Sequence, residues 1–222
     1  MSTRSPRGSF DPGTVVTDLA DSIPASLRPL LGAVLAGGQS RRFGRDKIAV
    51  EVEGVPMVLR AVRALEALCD DVVLVSSRDV PDSWGTVIPD DRPGLGPLAG
   101  IEAALRHGAE RNAAAVFILA ADLPHVGPEI VAAVTAGLTP ASDSAPPLAA
   151  AASRHGQPDF EPLCAAYDIQ CAEVVTRLLD GGERAARALV EAVDGRKIVL
   201  TPEEARAVSA NVNVPADLDR IQ

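Results

Sequence analysis

The run Leu31-Gly32-Ala33-Val34-Leu35-Ala36, ended by Gly37-Gly38, constrains this chain more than any other stretch. A short apolar run without polar alternation must be covered on both faces, so it reads as a buried strand entering a tight turn. The texture then repeats. Pro56 to Cys69 places Val58, Val62, Leu65 and Cys69 at helical spacing behind a proline suited to a first turn. Asp71 to Ser76 reads as a strand, Thr86 to Ile88 as a short one, Leu98 to His107 as a helix, Ala115 to Ala120 as a strand and Pro128 to Ala136 as a helix. This alternation predicts an α/β domain with a mostly parallel central sheet and right-handed crossovers.

The second half is less regular. Leu148 to Ala152 has helical propensity, yet Pro146-Pro147 before it and Gly156-Gln157-Pro158 after it leave room only for a strand. Pro162 to Tyr167 reads as a return strand, Ala172 to Leu179 and Arg184 to Ala192 as helices, and Lys197 to Leu200 as a last strand. Pro202 and Pro215 each suit a helix start. Thr139 to Pro147 is read as a surface loop, because the residues beyond it are too few to carry a core of their own. Residues 1–28 are rich in Ser, Pro, Gly, Thr and Asp without apolar period, and are expected to form a flexible extension ahead of one domain over 29–222.

Charge narrows the function. A net charge of −9 over 222 residues leaves no broad basic surface, which argues against a nucleic-acid partner. No apolar run reaches the roughly 20 residues of a membrane span, so no membrane is expected. Cys69, Cys164 and Cys171 form no CxxC pair, which fits reduced thiols in a cytoplasm. His107, His125 and His155 show no metal-ligand spacing.

Within this acidic chain, Arg41, Arg42, Arg45 and Lys47 come soon after the paired glycines. Glycines let backbone N–H groups approach a phosphate closely, and clustered cations neutralise a triphosphate and its leaving pyrophosphate. The P-loop pattern is not met, since no lysine-hydroxyl pair comes after the second glycine of a G-x-x-x-x-G run. Read by itself, the segment is also compatible with a glycine turn bearing a solvated basic face. Ala120-Ala121-Asp122-Leu123-Pro124 ends a buried strand with a carboxylate, where parallel sheets bind ligands. Asp122 is the candidate metal ligand, with phosphate oxygens and waters completing a Mg²⁺ shell, or else a turn residue before Pro124.

Leu35-Ala36-Gly37-Gly38-x-Ser40-x-Arg42-x-Gly44-x-Asp46-Lys47 resembles the signature loop of the molybdenum cofactor guanylyltransferases, the MobA-like branch of the nucleotidyltransferases, with Phe43 where that family usually has methionine. The resemblance runs from Leu31 to Gln222. It implies a three-layer Rossmann-like fold, GTP and molybdopterin as substrates, Mg²⁺ as cofactor, and transfer of GMP to the terminal phosphate of the pterin cofactor with release of pyrophosphate. It assigns Lys47, Arg42 and Asp122 to catalysis, and Leu35, Ala36, Gly37, Gly38, Lys47, Asp90, Gly96, Leu98 and Asp122 to the nucleotide. Val87-Ile88-Pro89-Asp90-Asp91 and Gly96-Pro97-Leu98-Ala99-Gly100-Ile101 resemble the segments that close over the nucleoside. Asn211-Val212-Asn213-Val214-Pro215 resembles the closing Asn-x-Asn-x-Pro motif, whose amides would meet the pterin or only shape a turn. Glu161-Pro162-Leu163 and Gly182-Glu183-Arg184 are weaker matches. Val75-Ser76-Ser77 departs from the family, which often has an asparagine there to contact the nucleoside.

Three rivals remain open: cytidylyl transfer to the same cofactor, nucleotide transfer to another small phosphate, and a non-catalytic carrier of the cofactor. Gly37-Gly38 favours GTP, since the cytidylyl branch typically reads Leu-Ala-Ala-Gly. Molybdoenzymes or cofactor-insertion proteins are the expected recipients.

Overall fold

A computed structural model describes residues 19–37, 49–141, 144–154, 159–212 and 217. Its centre is a seven-stranded sheet of β1 (Leu30–Leu35), β4 (Asp71–Val75), β5 (Thr86–Ile88), β6 (Ala115–Ala120), β7 (Ala149–Arg154), β8 (Phe160–Asp168) and β9 (Arg196–Leu200). The order across it is β5-β4-β1-β6-β8-β7-β9, and β2 (Glu51–Val52) and β3 (Val55–Pro56) form a separate hairpin. Within the large sheet β8 alone is reversed, pairing antiparallel with both β6 and β7. The mostly parallel sheet expected from the alternating pattern is present.

Every residue of β1 and β6 is buried, because helices cover both faces. On one side lie α1 (Met57–Glu66), α3 (Pro128–Ala136) and α6 (Pro202–Ser209), packed through Val58, Ile130 and Val208 among others. On the other lie α2 (Pro97–Glu110), α4 (Cys171–Asp180) and α5 (Ala186–Ala192), packed through Leu98, Val175 and Leu189. The result is a three-layer architecture. Along β1 the side chains alternate, with Leu30 and Val34 toward the first layer and Leu31, Ala33 and Leu35 toward the second. Gly32 is needed for the approach of α1: a Cβ there would stand 3.0 Å from the Leu65 Cβ and 3.1 Å from the Cys69 Sγ.

The alanines of β7 resolve as strand against their helical propensity, because partners on both sides, β8 and β9, take up the backbone groups. Residues 19–28, read from sequence as part of a loose leader, are packed instead. Ile23 and Leu27 are core residues, at 4% and 7% exposure. Arg28 donates to Asp70 Oδ1 at 2.7 Å and to the Ala20 carbonyl at 2.9 Å, pinning the segment beneath β1. Scattered apolar spacing hid this, since the contacts are made with distant residues rather than along one local face.

Candidate active site

The chain leaves β1 for β4 and β5 on one side, then returns to β6 on the other side of β1. The strand order therefore reverses between β1 and β6, and beyond the carboxyl ends of strands at such a switch point sheets bind ligands. Backbone bonds extend the ladder one residue past the strands: Ala36 N donates to Val75 O at 3.0 Å, and Ala121 N donates to Leu35 O at 3.2 Å. Gly37 and Asp122 thus leave the sheet side by side. Leu35 and Ala36 are buried, Gly37 is exposed and Asp122 is half-buried. Gly38, Arg41, Arg42, Arg45 and Lys47, the rest of the predicted phosphate loop, lie outside the described residues, as does Asn213.

The loop after β5 carries Asp90, whose Oδ1 accepts from the Arg92 amide at 3.0 Å. Arg92 also reaches Glu102 Oε2 at 3.0 Å and Asp180 Oδ1 at 2.6 Å. Glu102 is buried in α2 and takes a 2.7 Å bond from the Thr176 hydroxyl of α4. Arg106 pairs with Asp91. Together these contacts fasten the loop to both helices beneath it. The loop ends at Gly96, whose φ of +83° and whose 3.0 Å Cβ clearance to the Arg184 carbonyl both require glycine. Leu98 is fully buried in the core, so any contact from it to a nucleotide would be through its backbone. Ser76, where the family often has asparagine, is buried and exchanges hydrogen bonds with the Arg78 backbone. It shapes its own turn.

On the far side of β6, reversal brings the beginning of β8 to the same edge. Leu119 pairs with Cys164, beyond which a bulge shifts the register of β8 and Glu161 pairs with Ala152 of β7, still near enough to Asp122 to feel its charge. Burial pushes the Glu161 carboxyl above its ordinary range, and the charge of Asp122 pushes in the same direction. A cleft of about 150 Å³ opens here, lined by Ser153, Arg154, Asp159, Phe160, Glu161 and Asn211 among others. Arg187 pairs with Asp159 and lies 4.2 Å above the Phe160 ring. Asn211 is half-buried, and its buried Oδ1 accepts no hydrogen bond from the described residues. An acceptor atom left in that position suits a ligand donor.

The donor set fits a hard cation. Among the described residues no group of three or more His, Cys, Asp or Glu could enclose a metal, but Asp122, with Glu161 near enough to feel its charge, offers the one or two carboxylates that Mg²⁺ takes when phosphate and water supply the rest. The cysteines take no part. Burial pushes the Cys69 and Cys171 thiols up to about 12 and raises Cys164 further, which keeps all three protonated near neutral pH.

Arg92 and Glu102 were not marked by the sequence. The only available signal was a charged residue set beside an apolar helical stripe, as Glu102 stands beside Leu98, Ile101 and Leu105.

Comparison with known proteins gives a consistent result. The profile of the MobA-like NTP transferase domain matches residues 32–198. A protein of Opitutus terrae named as a probable molybdenum cofactor guanylyltransferase is 40% identical over 202 residues, covering 88% of this chain and 96% of its own. One of the same name from Mycobacterium avium is 35% identical over 199 residues, covering 85% and 93%. The crystal structure of molybdopterin-guanine dinucleotide biosynthesis protein A from Archaeoglobus fulgidus superposes with a TM-score of 0.64 at 26% identity, covering 86% of this chain and 96% of that one.

Proposed function

The chain belongs to the MobA-like NTP transferase domain family, a family of nucleotidyltransferases, and from that premise we propose that it transfers GMP from GTP to the terminal phosphate of molybdopterin. The observation that supports the reading is the Ala121 to Leu35 hydrogen bond at 3.2 Å, which brings the backbone leading to Asp122 alongside that leading to Gly37 at the ends of β6 and β1. The names of the 40% and 35% identical relatives support GTP and molybdopterin as the substrates.

The acceptor phosphate is already a nucleophile. Its oxygen bonds to the α-phosphorus of GTP, the bond from that phosphorus to the bridging oxygen breaks, and pyrophosphate carries off the electron pair. Catalysis is then alignment and charge neutralisation. Backbone N–H groups at Gly37 and Gly38 hold phosphate oxygens, Lys47 and Arg42 neutralise the triphosphate, and the loop of Asp90 and Gly96, with the backbone at Leu98, holds the nucleoside. Asp122 would hold Mg²⁺, which when bound would supply positive charge to offset that of the phosphates. Asn211 and Asn213 serve the pterin. The product passes to molybdoenzymes or their cofactor-insertion proteins, in the cytoplasm; no helix among the described residues is long and apolar enough to cross a membrane.

The test is pyrophosphate release with molybdopterin and Mg²⁺, comparing GTP, CTP and ATP. GTP is expected to be preferred, Asp122→Ala to abolish release, and Lys47→Ala to weaken GTP binding. Preference for CTP overturns the donor assignment, and GTP binding without release makes the protein a carrier. Wild-type turnover in Asp122→Ala overturns the site.

A further inference from the structure

Arg60 of α1 bonds to two backbone segments that are far apart in the sequence. Its Nε donates to the Pro124 carbonyl at 2.9 Å, two residues beyond Asp122. Its Nη1 donates to the Val52 carbonyl at 3.3 Å and to Glu53 Oε2 at 2.8 Å, in the hairpin that leads out of the Lys47 loop. The Arg60 side chain is 24% exposed and its two carbonyl bonds are part-buried, whereas the Glu53 carboxylate, 61% exposed, meets it at the surface.

A second set of contacts joins the same segments. Val52, Met57 and Val212 are each fully buried in a small apolar cluster separate from the two faces of the large sheet. The Val212 amide donates to the Asp122 carbonyl at 3.2 Å, and the Met57 amide donates to the Val50 carbonyl at 2.9 Å, closing the hairpin onto α1. The hairpin, the loop after β6 and the Asn211 segment are therefore locked together around one guanidinium and one valine.

A planar guanidinium can hold two carbonyls at a fixed separation, which a flexible ammonium does less well. We infer that Arg60 is a positioning residue of the transfer reaction, setting the Asp122 loop at a fixed distance from the exit of the phosphate loop, with Val212 tying the Asn211 segment into the same clasp. The inference rests on the reaction proposed above. It predicts a division of effects. The glycine turn and Lys47 bind GTP without Arg60, so its loss disturbs alignment for transfer more than binding.

The experiment uses the full chain with Arg60→Met, Arg60→Lys and Val212→Ala, and reads two quantities. In hydrogen exchange, Arg60→Met is expected to speed exchange in the peptides covering 50–57 and 121–126 about tenfold, while strand β6 keeps its protection. In pyrophosphate release, kcat is expected to fall about tenfold or more with the GTP KM within about threefold of wild type, as a small misplacement of reacting groups does. Arg60→Lys recovers part of kcat, and Val212→Ala speeds exchange in 121–126. Unchanged exchange in both peptides of Arg60→Met overturns the clasp. Faster exchange with wild-type kcat overturns its role in transfer. If Arg60→Met loses protection in β6 as well, the same two readouts on Arg60→Lys decide. A wild-type protein that releases no pyrophosphate overturns the reaction itself, and the exchange result then decides on the clasp alone.

Discussion

Arg92 joins its Nε to the buried Glu102 carboxylate at 3.0 Å while its own amide donates to Asp90 Oδ1 at 3.0 Å. One residue thus links the proposed nucleoside loop to the interior of α2. Glu102→Ala removes one partner of Arg92, which keeps Asp180, and one of the Thr176 hydroxyl, which keeps the Ala172 carbonyl. Stability is expected to fall by about 1 kcal/mol, from the hydrogen bonds lost. The GTP KM should rise severalfold with kcat little changed. Urea denaturation and steady-state kinetics check the two effects, and an unaltered KM would show that the loop keeps its place without the brace.

Gly32 lies where α1 crosses β1, with 3.0 Å of clearance to the Leu65 Cβ. Gly32→Val forces these elements apart, at about 1–3 kcal/mol for overpacking a close-packed site. The expected result is a lower urea midpoint with an unchanged slope.

Leu27 tests whether the leader belongs to the domain. At 7% exposure it fills space in the core, so Leu27→Ala should cost about 2–4 kcal/mol. Deleting residues 1–28 removes Ile23 and the Arg28 bonds as well, and should lower Tm further than Leu27→Ala does. Equal melting of the truncated and full chains would place the boundary at Pro29.

Acid stability should depend on His125. Burial holds its imidazole below the ordinary range, and the nearby Arg60 charge acts in the same direction. The unfolded chain takes up a proton near the usual histidine pKa of about 6.5, whereas the folded chain does so only at lower pH. Folding stability from this residue is therefore complete above that value and is lost as pH falls toward the folded pKa. His125→Gln should flatten the decline of the urea midpoint between about pH 7 and pH 5.

The strands were legible because a sheet covered on both faces leaves unbroken apolar runs, as at Ala115 to Ala120; the helix Pro128 to Ala136 was legible from the proline at its start. Asp122 was legible as the first carboxylate after such a run. The β2-β3 hairpin was not recognised, although its turn shows Glu53 and Gly54 at positive φ, with a Glu-Gly pair as the only sequence mark. Two-residue strands are too short to show a period. Arg60 and Glu102 were invisible for a different reason. Their partners stand 64 and 74 residues away, at Pro124 and Thr176, and nothing local announces a bond across that separation. The burial of Ile23 and Leu27 was hidden in the same way.

The reversed strand β8 splits the working edge of the sheet into two stretches built by different parts of the chain. Everything up to the loop after β6 frames one side, and everything from β7 onward frames the other, with Asp122 and Glu161 near enough at the seam for one charge to act on the other. The two stretches are nevertheless stitched to each other, by the Val212 amide on the Asp122 carbonyl and by Arg92 on Asp180, so a substitution on one side is felt through the backbone frame of the other.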